Sequence, residues 1–223
     1  LDQAAAASGG IVFIDFAPGG EPVSETIDVN FEDYGYALVV IDSGADHAGL
    51  TDDYASIPKE LHKVCAYFGK EVLREVDERA FYEKLPEVRA QAGDRAVLRA
   101  MHIYDENRRV HMARAALKLE DIETFLREVN ASGRSSQLLL QNIIPGRAAE
   151  RQALSYALAC AERLLDGEGA CRVHGGGFAG TILTFVPLSR VDAFCAEMNR
   201  LLAAESCHRL AIRPVGGVLL EVL

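Results

Sequence analysis

The sequence predicts an α+β protein, an antiparallel sheet with helices packed on one face, joined to a helical block. Three observations lead there. The C-terminal third alternates helical and strand patterns in the order α-β-β-α-β-β, which suits helices layered on an antiparallel sheet. The first 42 residues are rich in strand-like runs. The stretch between them is helical with only short breaks.

Taken in order, the four alanines Ala4 to Ala7 read as the start of a short helix. Ile11–Phe16 is a buried-type strand, closed by the Ala17–Pro22 turn, and Val23 to Val29 alternates weakly as a second strand. Tyr36–Asp42 is a continuous apolar run, a strand covered on both faces. Ser43–His47 breaks it as a short polar loop, with Asp42 and His47 read as loop caps in preference to sugar contacts. A helix then runs from about Leu50 to Phe68, and Pro58 is expected in its first turn. Helices are expected at about 78–84, 94–117, 120–131 and 134–141, with Asp94 as an N-cap. Arg108 and Arg109 read as the solvated face of the longest one. Asn142–Gly146 ends the block. A helix over about 148–165 leads to the strand Ala170–Val173, where Arg172 reads as a solvated strand end. The strand Thr181–Val186 follows. Ser189 and Asp192 resemble a capping box for a helix over about 190–204. Leu210–Arg213 and Val218–Val222 are short strands. There is no linker, repeat or low-complexity tract.

The chain has 223 residues, 49% hydrophobic and 25% charged, with a net charge of −10 and a pI of about 5.1. That is long enough for a real core and ordinary for a globular protein. The acidic balance disfavours nucleic acid as a main partner, because it repels phosphodiester backbones. It leaves room for a nucleotide held by a local nest of amides. The five cysteines are scattered, without a C-x-x-C pair, and predict free thiols in a reducing cytoplasm. The six histidines show no metal-ligand spacing. No apolar run reaches the ~18 residues of a membrane span. The start has neither a signal-peptide pattern nor an initiator Met, which suggests a piece of a longer protein.

One stretch asks for a chemical reason. Arg172-Val173-His174-Gly175-Gly176-Gly177-Phe178-Ala179-Gly180 places three glycines between two strands. Bare backbone there suits either a tight loop whose N–H groups converge on an anion or an ordinary glycine-rich hairpin. It is not a Walker-type loop, since no Lys-Ser or Lys-Thr follows. It is not a dinucleotide turn either, since a β-branched run follows in place of a helix.

Three blocks together resemble the C-terminal half of the galactokinase branch of the GHMP small-molecule kinases. Leu1-Asp2-Gln3 with the following Ile-Val-Phe-Ile-Asp-Phe strand is similar to the family's Met-Asp-Gln segment. Asp42-Ser43-Gly44-Ala45-Asp46-His47 with Thr51-Asp52-Asp53-Tyr54 is similar to its strand-ending loop and nearby tyrosine. Residues 172–180 are similar to its third motif, Arg-Met-Thr-Gly-Gly-Gly-Phe-Gly-Gly. Ala131–Ser136 also resembles a helix junction of these kinases. His174 stands where Thr is usual, Ala179 where a glycine is, and Asp46 where Arg is frequent. The family's Gly-Glu-His-x-Asp-Tyr and Gly-x-Gly-Leu-Ser-Ser-Ser motifs are absent.

The resemblance implies a GHMP-kinase C-terminal domain with a ferredoxin-like antiparallel sheet. Residues 1–42 would lie at the junction with a missing N-terminal domain, and 43–223 would form the domain itself. It implies ATP-dependent phosphorylation of a sugar, galactose at its anomeric C1 hydroxyl, inactive without the other half. Alternatives are a non-catalytic sugar sensor, or a kinase for N-acetylgalactosamine or arabinose. Asp2 would be the catalytic carboxylate that accepts the hydroxyl proton. From the sequence alone it reads as a frayed terminus. Tyr54 would bind the sugar, against the alternative of a tyrosine packed at a helix start. Gly175, Gly176 and Gly177 would form the phosphate-proximal loop. ATP and Mg2+ are the implied cofactors, with metal ligands mainly from the missing half.

Overall fold

The computed structural model describes residues 2–16, 20–45, 49–146 and 150–217. Its elements are α1 (Asp2–Ser8), β1 (Ile11–Asp15), β2 (Val23–Ile27), β3 (Tyr36–Asp42) and α2 (Thr51–Tyr67). There follow α3 (Glu78–Glu83), α4 (Leu85–Ala92), α5 (Asp94–Lys118) and α6 (Ile122–Ser135). The chain closes with α7 (Ala153–Leu165), β4 (Ala170–Val173), β5 (Thr181–Pro187), α8 (Val191–Leu202) and β6 (Cys207–Leu210).

The main sheet has the order β4-β5-β3-β6, every pair antiparallel. With α7 before β4 and α8 after β5, this is a split β-α-β arrangement, into which α2–α6 are inserted after the first strand. Ala37, Val39 and Ile41 of β3 are fully buried and meet Leu154, Ala157 and Ala161 of α7 and Phe194 and Met198 of α8. On the opposite face Leu38, Leu183 and Phe185 pack on Leu126 and Val129 of α6. Helices α7 and α8 thus share one face as expected, and the helical block covers the other. A separate core under α2–α5 is built on Val64, Phe81, Val88, Ala96 and Ala100.

β1 and β2 form their own hairpin and dock on α5 rather than extending the main sheet. Phe13 stacks under the Arg114 guanidinium at 4.6 Å, and Lys118 Nζ donates to Glu25 at 2.7 Å. β1 is therefore half-buried, not enclosed like β3.

Several local expectations are corrected. Helix α4 was not expected, and it fills the gap left between 84 and 94. The break expected between 131 and 134 is absent: α6 runs through Ser132 and Gly133 to Ser135 and then becomes a π-helical turn, Ser136–Leu140. The small residues serve close packing instead, since a Cβ on Gly133 would stand 2.9 Å from the Cys171 carbonyl oxygen of β4. Pro58 lies inside α2, beyond the first turn, because the helix already starts at Thr51. Asp94 is the first helical residue, not the cap, and its carboxylate meets Arg89. Ser189 and Asp192 make no capping box; a 3-10 turn, Leu188–Arg190, precedes α8 with no side-chain cap. The strand expected at Leu210–Arg213 is Cys207–Leu210, and the one at Val218–Val222 lies outside the described residues.

Two arginines expected in solvent turn inward. Arg109 Nε donates to Glu106 at 2.9 Å, and Arg172 Nη1 reaches the same carboxylate at 3.5 Å. Ser132 donates to it as well. Burial alone would raise the Glu106 carboxyl, but Ser132, Arg172 and Arg109 together hold it below the usual range. This ionic knot ties α5, α6 and β4.

Candidate functional site

The register of β3 on β5 pairs Asp42 with Thr181, so the loop after β3 and the loop before β5 leave the same end of the sheet. Ser43 fixes them together: its N–H and its hydroxyl both donate to the Gly180 carbonyl, at 3.0 and 2.5 Å. Asp42 accepts from Gly44 N at 2.9 Å, the loop-cap role read from its position. Asp46 and His47 lie outside the described residues.

The glycine loop is a turn with an exposed tip and a buried base. His174, Gly175 and Gly176 are exposed, whereas Gly177, Phe178 and Ala179 are buried. His174 closes it, its N–H on the Thr181 carbonyl and its Nδ1 2.9 Å from Thr181 Oγ1. Gly177 has φ +81°, and a Cβ there would overlap the Asn142 carbonyl oxygen, so both backbone conformation and space demand glycine. No hydrogen bond within the described residues uses the N–H of Gly175, Gly176 or Gly177. Three consecutive donors, two at the exposed tip and the third at its buried base, offer the kind of backbone nest that accepts an anion.

Tyr54, in the first turn of α2, stands against this loop. Its hydroxyl donates to the Gly177 carbonyl at 2.7 Å, and a Cβ on Gly176 would meet its ring at 3.0 Å. Its ring is edge-on to Phe178, with centroids 5.4 Å apart. Burial pushes its phenol above the usual range. The structure therefore brings Tyr54 into direct contact with Gly176 and Gly177.

Asp2 opens helix α1. β6 runs from Cys207, opposite Ile41, to Leu210, opposite Leu38, and so leads away from the glycine loop. Helix α1 is joined to the segment beyond that far end: Gly217 N donates to the Ala7 carbonyl, and Arg213 Nη2 to that of Ala6. The Asp2 side chain itself lies outside the described residues.

Sequence reading passed over the residues that brace the site. Asn142 marked only the end of the helical block, yet it contacts the loop at two points: Nδ2 donates to the Gly176 carbonyl at 3.0 Å, and its own carbonyl accepts from Phe178 N. Asp53 accepts from Gly146 N at 3.2 Å, holding the 142–146 segment on α2. A cavity of about 370 Å3 opens beside it, lined by Asp53, Arg99, Gln141, Ile144 and Phe178. Arg99, 1% exposed, supports its floor with Nη1 on Glu60 and Ser56 and Nε on the Leu140 carbonyl. The polar pair Gln141-Asn142 between the leucines and Ile143-Ile144-Pro145-Gly146 was the available signal for Asn142.

No protein-family model matches the chain. Galactokinase of Actinobacillus pleuropneumoniae is 31% identical over 170 residues, which is 76% of this chain and 41% of that protein. Galactokinase of Mannheimia succiniciproducens is 27% identical over 180 residues, 81% of this chain and 44% of that one. This chain is similar to these galactokinases over most of its own length. It spans less than half the length of these relatives. Among solved structures, Lactococcus lactis galactokinase complexed with galactose superposes with a TM-score of 0.67 at 18% identity, over 88% of this chain and 49% of that one. Mevalonate kinase of L. major in complex with R-mevalonate gives 0.55 at 14%, over 97% of this chain and 53% of that one. At these identities the likeness establishes the fold, that of the GHMP kinases.

Proposed function

We propose that this chain forms one wall of the catalytic cleft of an ATP-dependent sugar kinase acting on galactose at its anomeric C1 hydroxyl. The opposite wall would come from an N-terminal domain of the same polypeptide. The observation that carries this reading is the contact between Tyr54 and a glycine loop with three N–H groups that have no partner among the described residues, in a galactokinase relative.

Phosphoryl transfer needs positioning and neutralisation of charge more than covalent chemistry. In this reading the amides of Gly175, Gly176 and Gly177 approach the phosphate chain of ATP, whose main cradle is the other domain. Tyr54 offers an aromatic edge to the pyranose beside that loop. Asp2 takes the proton of the anomeric hydroxyl, a role that rests on the family resemblance. Among the described residues no three His, Cys, Asp or Glu side chains converge, and we assign no Mg2+ ligand to this chain. No helix there is long and apolar enough to cross a membrane. The five unpaired cysteines suit a reducing cytoplasm.

The test is the full-length protein with Mg-ATP and a panel of sugars including N-acetylgalactosamine and arabinose. Galactose turnover in the range of about 1–100 s⁻¹ is expected. Asp2→Asn should lower kcat by about 100-fold or more with little change in KM. Turnover of another sugar reassigns the substrate. Galactose binding without turnover replaces the kinase with a sugar sensor.

A further inference from the structure

The helical block does not end in a plain loop. Its last element is the π-helical turn Ser136–Leu140, and Gln141 then takes a left-handed conformation, φ 57°. Such irregular turns concentrate at functional positions. Here they deliver Asn142 into the base of the glycine loop, where it is 2% exposed.

Asn142 and Tyr54 hold two successive carbonyls of the loop from two directions. Asn142 Nδ2 donates to Gly176 O at 3.0 Å, and the Tyr54 hydroxyl to Gly177 O at 2.7 Å. The Gly176–Gly177 peptide is planar and trans, so anchoring its carbonyl on Asn142 aims its N–H the opposite way. That N–H is one of the three with no partner within the described residues. Asn142 Oδ1 is buried and accepts no hydrogen bond within the described residues. The side chain is thus oriented by its donation to the loop, and it leaves a buried acceptor unmet at some cost.

We infer that Asn142 is a positioning residue, which sets the direction of the Gly177 N–H toward the phosphate chain of the nucleotide. This rests on the kinase reading above. Asn142 touches no reacting atom; it acts through the loop.

The test uses the full-length protein with Asn142→Leu, which keeps the shape and removes the donor, and Asn142→Ala. Both should lower kcat by about tenfold or more while the KM for sugar stays within about twofold. Amide exchange at Gly176 to Ala179 should rise about tenfold, with Ile182 to Val186 unchanged. Wild-type kcat and wild-type loop exchange in Asn142→Leu would overturn the inference. Faster exchange spread over β5 as well would make Asn142 a residue that merely holds the fold, and would also overturn it. If the wild-type protein turns over no sugar, the kinase reading fails separately, and the exchange data alone decide whether Asn142 holds the loop.

Discussion

Gly177 shows what the residue scale decides. Its φ of +81° strains any L side chain, and the Asn142 carbonyl fills the space a Cβ would need. Gly177→Ala should therefore cost about 2–4 kcal/mol of stability, read from urea unfolding. A cost below about 0.5 kcal/mol would mean that the loop has room to shift. The three glycines stood out in the sequence as bare backbone between two strands, whereas Tyr54 was singled out only by the family resemblance; the structure adds their contact. Asn142 was not singled out, because an asparagine before a Pro-Gly turn reads as a terminator, and its partners lie on a loop more than thirty positions away in sequence. Arg109 and Arg172 were misread for a similar reason. Their shared partner Glu106 is brought to them only by the packing of α5 on β4.

At the scale of elements, the strands were legible where burial is strong. β3 and β4 lie where their apolar runs predicted, and β5 runs one residue further. Boundaries failed where a local signal had a tertiary cause. The Ser132-Gly133 pair looked like a helix break, yet it is the flat patch on which α6 meets β4. Asn130 secures the same contact, with Nδ2 on the Gly169 carbonyl at 3.1 Å and Oδ1 accepting from Cys171 N at 3.1 Å. Gly133→Ala places a methyl against backbone that has no freedom to rotate away. It should lower stability by about 1–3 kcal/mol, visible as a lower Tm. An unchanged or higher Tm would show that helix propensity outweighs the close approach. β6 was displaced in the reading because its residues, Cys207 to Leu210, are mostly exposed at a sheet edge, with His208 and Arg209 at its centre.

For the molecule as a whole, the element order predicted an antiparallel sheet with α7 and α8 on one face, but not that β3, from the first 42 residues, lies inside that sheet between β5 and β6. It did not predict how the inserted helices close the opposite face. The Glu106 knot is central to that closure. Removing the carboxylate leaves Arg109 and Arg172 without their shared counter-charge, so Glu106→Gln should cost about 3 kcal/mol at neutral pH. The sign with pH follows from its lowered folded-state value. Its stabilisation is complete above the ordinary value of 4.5 and is lost as pH falls through the lower folded value. The gap between wild type and variant in urea unfolding should therefore narrow in acid; a gap independent of pH would remove the ionised carboxylate from the account.

The central strand has a consequence for biosynthesis. β3 ends at residue 42, yet its two neighbours begin only at residues 181 and 207. A nascent polypeptide must carry this apolar ribbon, both edges bare, until β5 and then β6 are made, while the intervening helices mature on local contacts. Chaperones that shield sticky segments on the ribosome have here a defined window in which to act, one that closes as β5 and then β6 emerge from the exit tunnel.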